Sequence, residues 1–367
     1  MIPLVAARRE PERMNVVLPP PPPLHTLDFT LLGPLVASAF PESDGRFGWQ
    51  PMPGGASARR YFRLRIGEHT AVAMFVPDGA RPEEFAKANT ASTRWPFLEV
   101  RDLLAAHGID VPLLYGQATE HGWVLLEDLG DATLAGFLAA HEDRKEELYL
   151  RAVNDLARAQ SSLLRMPTGC VVASRAFDED LLVREIHHFR EWGVEARGIT
   201  LSGADRADFD RIAVRLAKRI ASWPRVFVHR DYQSRNLMVR PTGALCWIDF
   251  QDALLGPRIY DLVALLNDSY QNFDRAFVEA RLDDYARVAA LEAGERATLG
   301  REFDFATVQR KLKDAGRFVY IERVKGNASF LRFVEPTIAR VRSSLARLAE
   351  DEDMRALSQL LGRVLPG

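Results

Sequence analysis

Three polar residues, Asp231, Asn236 and Asp249, have the types and the spacing that phosphoryl transfer requires. A carboxylate can orient and deprotonate an acceptor hydroxyl, a role that Asp231 can fill. An amide carbonyl and a second carboxylate are oxygen ligands for Mg²⁺, and Asn236 and Asp249 supply them. Each residue alone reads as a turn former or a hydrogen-bonded polar group, but the three together favour a metal-assisted transfer reaction.

The local sequence pattern predicts how these residues are held together. Residues 225–229 form a short apolar strand that runs directly into the polar loop containing Asp231. Residues 236–240 and 244–249 are typical of a hairpin around a Pro-Thr-Gly turn. A hairpin beside a strand end can hold all three side chains within ångströms of each other. We expect His229 to be structural, with its ring hydrogen-bonded to the loop rather than acting as a base.

The spacing His229-Arg-Asp231, then Asn236, then Asp249-Phe matches the catalytic loop and metal-binding pattern of protein-kinase-like phosphotransferases. The stretch that ends at Asp261 resembles the aminoglycoside-phosphotransferase-like kinases, a family that includes kinases of antibiotics, choline, homoserine and sugars. The resemblance implies that Asp231 is the catalytic base and that Asn236 and Asp249 bind magnesium. It also implies that Asp261 braces the catalytic loop. As an acid near a helix N-terminus, Asp261 would also be favoured by the helix dipole, and both roles can hold at once.

Further stretches are similar to one subgroup of that family, the anomeric N-acetylmuramate/N-acetylglucosamine 1-kinases of bacterial cell-wall recycling. The similarity extends over most of residues 50–330. It implies ATP and Mg²⁺ as cofactors and the anomeric hydroxyl of an amino sugar as the acceptor. The stretches that carry it are Gly54-Gly-Ala-Ser-Ala-Arg-Arg-Tyr-Phe-Arg-Leu, Leu126-Glu-Asp-Leu-Gly, Asp249-Phe-Gln-Asp-Ala-Leu-Leu-Gly-Pro and Gln309-Arg-Lys-Leu-Lys-Asp-Ala-Gly-Arg-Phe.

The order of the predicted elements indicates an α+β, two-lobed, protein-kinase-like fold. Residues 1–25 include five consecutive prolines and read as a flexible leader. Residues 26–128 contain short strand candidates, including a hairpin over 61–66 and 70–76, and predict a small antiparallel-sheet lobe that binds nucleotide. Residues 129–367 contain long amphipathic helical patterns and predict a mostly helical lobe for catalysis and substrate binding.

A glycine-bearing loop precedes the first predicted hairpin. Gly54 and Gly55 would let backbone N–H groups approach phosphate oxygens, and Ser57 could add a hydroxyl. The alternative is a simple turn before a strand. Arg60 is one of three nearby arginines; either one of them faces the phosphates or they form a solvated strand end. Met74 stands where protein kinases carry the phosphate-binding lysine of Val-Ala-x-Lys, so an arginine, Mg²⁺ or backbone donors must compensate.

Candidates for adenine recognition lie at the predicted lobe junction. Glu127, Asp128 and Leu129 follow an apolar strand, where backbone groups can read the adenine edge. An ordinary strand-end turn is the alternative.

Substrate contacts are expected from the catalytic loop and from the segment after the metal-binding aspartate. The candidates are Gln233, Arg235, Gln251 and Asp252. The planar fork of Arg235 suits a substrate carboxylate such as a lactyl group. Arg310 and Lys313 either line the same pocket or lie on a solvated helix face.

Composition limits the remaining functions. A formal net charge of −2 gives no general attraction to nucleic acid, and no apolar run approaches the roughly 20 residues of a membrane span. Two distant cysteines fit a reduced cytoplasmic setting. We therefore expect a small-molecule substrate and neither nucleic acid nor membrane as partner; the oligomeric state stays open. Two alternatives remain: a kinase of another small alcohol (an aminoglycoside, choline or homoserine), and a nucleotide-binding pseudokinase or adaptor, which Met74 would support.

Overall fold

The computed structural model describes residues 26–53, 59–77 and 94–365. The leader predicted over residues 1–25 lies outside the described residues. The described residues of Met1–Lys87 form one compact unit with Leu113–Asp128. Those of Ala88–Pro112 form a second unit with Leu129–Gly367. No helix in these described ranges is both long enough and apolar enough to cross a membrane.

The first unit is built on an antiparallel five-stranded sheet whose strands lie side by side in the order Gly48–Pro51, Arg60–Ile66, His69–Phe75, Trp123–Glu127 and Leu114–Ala118. The predicted hairpin is confirmed, and its turn contains Gly67 with a positive φ of 57°. A bulge between Leu114 and Gly116 shifts the pairing at one edge. The strands are β1 (Gly48–Pro51), β2 (Arg60–Ile66), β3 (His69–Phe75), β4 (Leu114–Ala118) and β5 (Trp123–Glu127).

The two faces of this sheet differ because side chains alternate along each strand. One face carries Phe62, Trp123 and Leu125, which form a core with helix α1 (Gly33–Ala39). The opposite face carries the cross-strand row Tyr61, Met74 and Val124 and the row Arg63, Val72 and Leu126. Met74 is fully buried in this second face. Its apolar side chain therefore belongs to the packed sheet.

Helix α2 (Pro96–Ala106) clusters with the second unit, although the sequence assigned residues 26–128 to one lobe. Its contacts supply the physical reason. The ring of Phe97 stacks on Phe250 with centroids 5.2 Å apart. The carboxylate of Glu99 accepts a hydrogen bond of 2.6 Å from the backbone N–H of Val171.

The second unit is mostly helical. One large core joins five of its amphipathic helices, which bury their apolar faces against each other: Glu179–His188, Gly203–Ala221, Ala293–Lys325, Val334–Arg347 and Glu352–Val364. In chain order, the helices after α2 are α3 (Leu134–Ala140), α4 (Lys145–Ser162), α5 (Glu179–His188), α6 (Gly203–Ala221), α7 (Ile259–Leu266), α8 (Arg275–Val288), α9 (Ala293–Lys325), α10 (Val334–Arg347) and α11 (Glu352–Val364).

Two small antiparallel ladders frame the loop that contains Asp231. Strand β7 (Leu237–Val239) pairs with β8 (Leu245–Trp247), which confirms the predicted second hairpin. Strand β6 (Arg225–Val228) pairs with β9 (Leu254–Pro257). The sequence prediction omitted β9, because a four-residue strand ending in Gly-Pro reads as a turn. The pairing of β6 with β9 fixes the strand end from which the catalytic loop begins.

Helix α9 carries its polar residues into the interior of the second unit. A capping box formed by Glu292 and Glu295 begins it, and Gly326 with φ 68° ends it. Gly316 lets this helix approach α5, because a Cβ there would lie 2.8 Å from the backbone oxygen of His188. This close packing buries the middle of α9, including Gln309, Arg310 and Lys311.

Candidate active site

The loop after β6 is fixed by one buried carboxylate. Asp261, in the first turn of α7, accepts hydrogen bonds from the backbone N–H groups of His229 at 2.6 Å and Arg230 at 3.0 Å. Arg230 has φ 79°, in the left-handed region that non-glycine residues seldom adopt. Asp261 is fully buried. The two hydrogen bonds to Asp261 thus stabilise an unfavourable backbone conformation immediately before Asp231.

His229 lies beneath this loop as a neutral ring. Its Nδ1 accepts a hydrogen bond of 3.3 Å from the backbone N–H of Asp231. Burial lowers the pKa of His229 to about 4, although the negative charge of Asp231 opposes the change. The imidazole is therefore neutral at neutral pH, which leaves Nδ1 free to act as an acceptor.

Asp231, Asn236 and Asp249 lie together. The Asn236 amide donates to the backbone oxygen of Asp231 at 2.8 Å and to Oδ2 of Asp249 at 3.4 Å. The backbone adds a link, because the N–H of Ile248 donates to the carbonyl of Asn236 at 3.0 Å. Asp249 has φ 64°, a second positive value for a non-glycine residue in this small region. Such conformations concentrate at functional sites, where surrounding contacts stabilise them.

The side-chain oxygens of Asn236 and Asp249 are suitable ligands for a divalent cation. Among the described residues, no group of three His, Cys, Asp or Glu side chains could hold a metal. The set here instead combines the carboxylate of Asp249 with the amide of Asn236. Because the Asn236 NH₂ group donates to protein oxygens, its carbonyl oxygen remains available as a ligand. Hard oxygen ligands of this kind are those that Mg²⁺ prefers.

Gln251 and Asp252 adjoin the same carboxylate. The Gln251 amide donates to Oδ1 of Asp249 at 2.9 Å and to Oδ2 of Asp252 at 3.4 Å. Gln251 is 5% exposed, and Arg175 donates to its backbone oxygen at 2.9 Å. The structure thus places Gln251 as a buried support that orients Asp249.

Arg310 of α9 contacts the catalytic loop. Arg310 is 2% exposed; it donates to the backbone oxygen of Arg230 at 2.7 Å, and its Nη2 lies 3.5 Å from Oδ1 of Asp231. Its guanidinium packs over the ring of Tyr260, 4.7 Å from the centroid. Lys313 lies one helical turn further, with its Nζ 3.3 Å from Asp314. Arg310 therefore lies on an interior helix face, not on the solvated face considered from the sequence.

These cations set the charge state of Asp231. Burial raises the pKa of this carboxyl, but the positive charges of Lys313, Arg310 and Arg230 more than offset that effect. The net pKa of Asp231 lies below the ordinary value for aspartate. Asp231 is consequently ionised at neutral pH and able to accept a proton from a hydroxyl.

Gln233 and Arg235 are the substrate-contact candidates on the catalytic loop. The backbone N–H of Gln233 donates to the carbonyl of Asp231 at 2.9 Å, and the N–H of Asn236 donates to the carbonyl of Gln233 at 2.8 Å, which closes a short 3₁₀ turn over Ser234–Asn236. The guanidinium of Arg235 stacks on Tyr270, 3.4 Å from the ring centroid. The side chains of Arg235 and Tyr270 line a cavity of about 430 Å³. Its other lining residues are Thr133, Ala135, Gly136, Leu138, Ala139, Glu142 and Gln271.

Only some of the nucleotide-binding candidates lie among the described residues. Gly54, Gly55 and Ser57 lie outside the described residues. Arg60 begins β2 on the sheet face of Phe62, opposite to the face that carries Met74. The other candidates, Glu127, Asp128 and Leu129, lie at the end of β5 and just after it.

The carboxylates of Glu127 and Asp128 already have partners within the protein. The carboxylate of Glu127 accepts the N–H of Leu113 at 3.1 Å. Asp128 pairs with Arg63, whose Nε and Nη2 lie 2.8 and 3.1 Å from the two carboxylate oxygens. Because this pair is largely buried, contacts from the segment to a nucleotide would come from its backbone groups.

Sequence reasoning missed three of the supporting residues. Arg63 was not singled out from its neighbouring arginines, although strand alternation places it on the face of Met74. Glu185 accepts from Gln309 at 2.9 Å and lies 3.6 Å from the Arg230 guanidinium. Asp268 accepts the N–H of Ser234 at 2.8 Å. No local signal marks Glu185 or Asp268, because each acts through residues far away in the sequence.

Comparison with known proteins decides the family. Residues 48–298 match the phosphotransferase enzyme family, also called APH. The chain belongs to this family. It is therefore a kinase with a hydroxyl acceptor, and its family implies ATP as the phosphoryl donor.

Relatives of known function extend over nearly the whole chain. It is 34% identical to the N-acetylmuramate/N-acetylglucosamine kinase of Pseudomonas aeruginosa, over 85% of this chain and 92% of that protein. The kinase of the same name from Pseudomonas putida is 32% identical, over 87% of this chain and 91% of its own length. The resemblance identified from the sequence is thereby confirmed.

Solved structures confirm the protein-kinase-like fold. The choline kinase LicA from Streptococcus pneumoniae matches with a TM-score of 0.57 at 15% identity, over 85% of this chain and 98% of that one. The ADP-bound aminoglycoside phosphotransferase APH(2'')-Ib matches with a TM-score of 0.53 at 14% identity, over 80% and 92% of the two chains. At such low identities, the likeness concerns the fold alone.

Proposed function

We propose that this kinase transfers the γ-phosphoryl group of ATP to the anomeric hydroxyl of an amino sugar, N-acetylmuramate or N-acetylglucosamine, as a step of cell-wall recycling. The observation that carries the proposal is the grouping of Asp231, Asn236 and Asp249 on one braced loop and hairpin. The acceptor is inferred from the relatives, whose names specify both sugars.

Asp231 would act as the base of the reaction. Its ionised carboxylate orients the acceptor hydroxyl and takes its proton as the oxygen attacks the γ-phosphorus. The new bond joins this oxygen to phosphorus while the bond between phosphorus and the bridging oxygen of ADP breaks. The products are an amino-sugar 1-phosphate and ADP. The hydrogen bonds from His229 and Arg230 to Asp261 keep the loop in position throughout.

Asn236 and Asp249 would hold Mg²⁺. When bound, the cation neutralises phosphate charge during the transfer. Gln251 keeps Oδ1 of Asp249 oriented through its 2.9 Å hydrogen bond. Asp252 lies within reach of the same Gln251 amide, and we assign it to substrate contact beside the metal site.

For the nucleotide, we assign the phosphates to the loop with Gly54, Gly55 and Ser57, with Arg60 nearby. The adenine edge would be read by backbone groups of residues 127–129, since the carboxylates of Glu127 and Asp128 have protein partners. These assignments make the first unit the nucleotide-binding lobe and the second unit, which includes helix α2, the catalytic lobe.

For the sugar, Arg235 is the proposed partner of the N-acetylmuramate carboxylate. Stacking on Tyr270 orients its planar guanidinium, and the adjoining cavity of about 430 Å³ has a volume typical of small-molecule sites. Gln233, two residues earlier in the loop, is the proposed partner of a sugar hydroxyl.

The proposal is tested by measuring ADP release from purified protein with Mg²⁺ and ATP across a panel of acceptors. The panel contains N-acetylmuramate, N-acetylglucosamine, choline, homoserine and kanamycin, with Asp231→Ala as the control. ADP release that depends on the two amino sugars and is absent in the variant would support the proposal. Release with a different acceptor alone would refute the amino-sugar assignment, and ATP binding without turnover would favour a pseudokinase.

A further inference from the structure

The carboxylate of Asp268 joins the catalytic loop to the wall of the cavity that Arg235 lines. Asp268 is 1% exposed. Its Oδ2 accepts hydrogen bonds from the backbone N–H of Ser234, at 2.8 Å, and from the hydroxyl of the same residue. Its Oδ1 accepts the backbone N–H of Tyr270 at 3.1 Å. Because a buried carboxylate is stable only with such donors, this one side chain fixes the loop and the segment around residue 270 relative to each other.

Arg235 and Tyr270 are the two residues that this bridge brings together. Arg235 follows Ser234 directly in the sequence, so the hydrogen bonds to Asp268 hold its backbone. Its guanidinium lies 3.4 Å from the centroid of the Tyr270 ring, and both side chains line the cavity of about 430 Å³. A long arginine side chain loses much conformational freedom when it is held in one orientation. A fixed aromatic ring is therefore needed to keep its planar fork oriented.

The segment that carries Asp268 is itself held firmly. It follows α7, all eight residues of which are buried. Arg340 of α10 donates to the backbone oxygens of Asn267, at 2.7 Å, and of Asp268. The same guanidinium also donates to the backbone oxygen of Gln271. The Asp268 carboxylate thus extends from a rigid support, which makes it able to impose a position on the loop.

Two carboxylates, one at each end of α7, hold different parts of the catalytic loop. Asp261, in the first turn, accepts the two backbone N–H groups immediately before the base Asp231. Asp268, two residues beyond the last turn, accepts the N–H of Ser234, immediately before Arg235. A change confined to Asp268 should consequently leave the base in place and disturb the acceptor side of the site.

We propose that Asp268 is a positioning residue that holds Arg235 against Tyr270 and thereby sets how strongly this kinase prefers a sugar with a carboxylate over one without. The inference rests on the proposed function, in which Arg235 meets the carboxylate of N-acetylmuramate. Asp268 does not touch the sugar in this assignment; its effect on the sugar is transmitted by Arg235.

The first test measures kcat and KM of Asp268→Asn with both sugars. The amide keeps the size of the side chain but has one oxygen where the carboxylate has two, so either Ser234 or Tyr270 loses its acceptor. With N-acetylmuramate, KM should rise and kcat/KM should fall by about tenfold. With N-acetylglucosamine, kcat/KM should change by less than about threefold. Equal losses with both sugars would overturn the proposal, because Asp268 would then support the whole loop.

A double-mutant cycle tests whether the effect passes through Arg235. In the Arg235→Ala background, Asp268→Asn should lower kcat/KM with N-acetylmuramate by less than about twofold, because the group that Asp268 positions is absent. A second fall of about tenfold would show that Asp268 acts independently of Arg235, which contradicts the proposal.

Asp304→Asn is the matched control for general destabilisation. Asp304 is a second buried aspartate, 3% exposed, whose partners Arg275, Ser344 and Arg347 lie outside the catalytic loop. The ratio of its kcat/KM values for the two sugars should equal that of the unaltered enzyme. If this ratio shifted in Asp304→Asn as it does in Asp268→Asn, loss of stability would explain both variants and the proposal would be wrong.

Hydrogen–deuterium exchange of the full chain tests the bridge without any acceptor. In Asp268→Asn, the backbone N–H of Ser234 or of Tyr270 should exchange at least about tenfold faster. The N–H of His229, which Asp261 holds, should stay as protected as in the unaltered protein. Unchanged exchange at both positions would overturn the proposal even if both sugars are phosphorylated. If the unaltered enzyme phosphorylates neither sugar, the amino-sugar function fails, while faster exchange would still support the positioning of the loop by Asp268.

Discussion

The carboxylate of Asp261 accepts the backbone N–H of Arg230 at 3.0 Å and so holds a residue whose φ of 79° is unfavourable for a side chain of that size. The same carboxylate accepts the N–H of His229 at 2.6 Å. These contacts join the start of α7 to the residue that precedes the catalytic Asp231. The geometry of the base therefore depends on a carboxylate that need not touch the substrate.

Burial makes Asp261 sensitive to pH. It raises the pKa of Asp261 to about 7, although the backbone hydrogen bonds and Arg310 lower it in part. The folded protein therefore retains a proton that the unfolded chain has released above its ordinary pKa of 3.8. Stability from this group is largest below the unfolded pKa and is lost as pH rises toward about 7.

For Asp261→Asn we accordingly expect a pH dependence that differs from that of the unaltered protein. Denaturant titrations between pH values of about 5 and about 8 would give the free energy of unfolding of each. The unaltered protein should lose stability relative to the variant as pH rises. A constant difference over this range would contradict the titration of Asp261. Independently, kcat of the variant should be lower, because an amide offers only one oxygen to the two N–H donors.

Replacement of Asp231 should separate chemistry from nucleotide binding. In Asp231→Asn the side chain keeps its size but can no longer take a proton, so kcat should fall by about 10²–10⁴-fold. ADP affinity should stay within about twofold of the unaltered enzyme, because the nucleotide contacts are assigned elsewhere. Steady-state kinetics and calorimetry measure the two quantities. Turnover near that of the unaltered enzyme would exclude Asp231 as the base.

Much of the catalytic loop could be predicted because its functional residues are close together in the sequence. The spacing of Asp231, Asn236 and Asp249 lies within one strand, one loop and one hairpin, and the structure brings the three together. Two short strand candidates around the turn Gly67-Glu-His likewise predicted the hairpin that contains Met74. In both cases, neighbouring residues in the sequence are also neighbours in space.

The groups around this loop could not be predicted, because they come from distant helices. Charged residues such as Arg310 and Lys311 on a long helix look like a solvated face, and only tertiary packing buries them. Their charges are balanced by Asp314 and by the loop itself. Strand β9 was missed for a related reason. Four residues that end in Gly-Pro have little strand propensity of their own, and the strand is stabilised by its pairing with β6, which is distant in the sequence.

Arg235 should determine preference between the two sugars. Its guanidinium stacks on Tyr270 beside the cavity, where it can meet the carboxylate that N-acetylmuramate has and N-acetylglucosamine lacks. For Arg235→Ala, kcat/KM with N-acetylmuramate should fall by about 10–100-fold, and that with N-acetylglucosamine by less than about threefold. Arg235→Lys should give an intermediate loss, since it keeps the charge but not the planar fork. Unchanged discrimination between the sugars in Arg235→Ala would remove this role.

The close approach of α9 to α5 should be required for both stability and activity. In Gly316→Ala the new Cβ would lie 2.8 Å from the backbone oxygen of His188, so one helix must shift. We expect a loss of about 1–3 kcal/mol in the free energy of unfolding. Because Gly316 is on the helix whose Arg310 contacts the catalytic loop, kcat should fall as well.

Gly294, near the start of the same helix, provides the matched control. A Cβ there meets no atom within 4 Å, so Gly294→Ala should stabilise the protein by about 0.5–1 kcal/mol through its better helix propensity. Its kcat should be unchanged. Denaturant unfolding and steady-state kinetics on both variants make the comparison. If Gly316→Ala were as stable and as active as Gly294→Ala, the packing of α9 on α5 would not be what positions Arg310 beside Asp231.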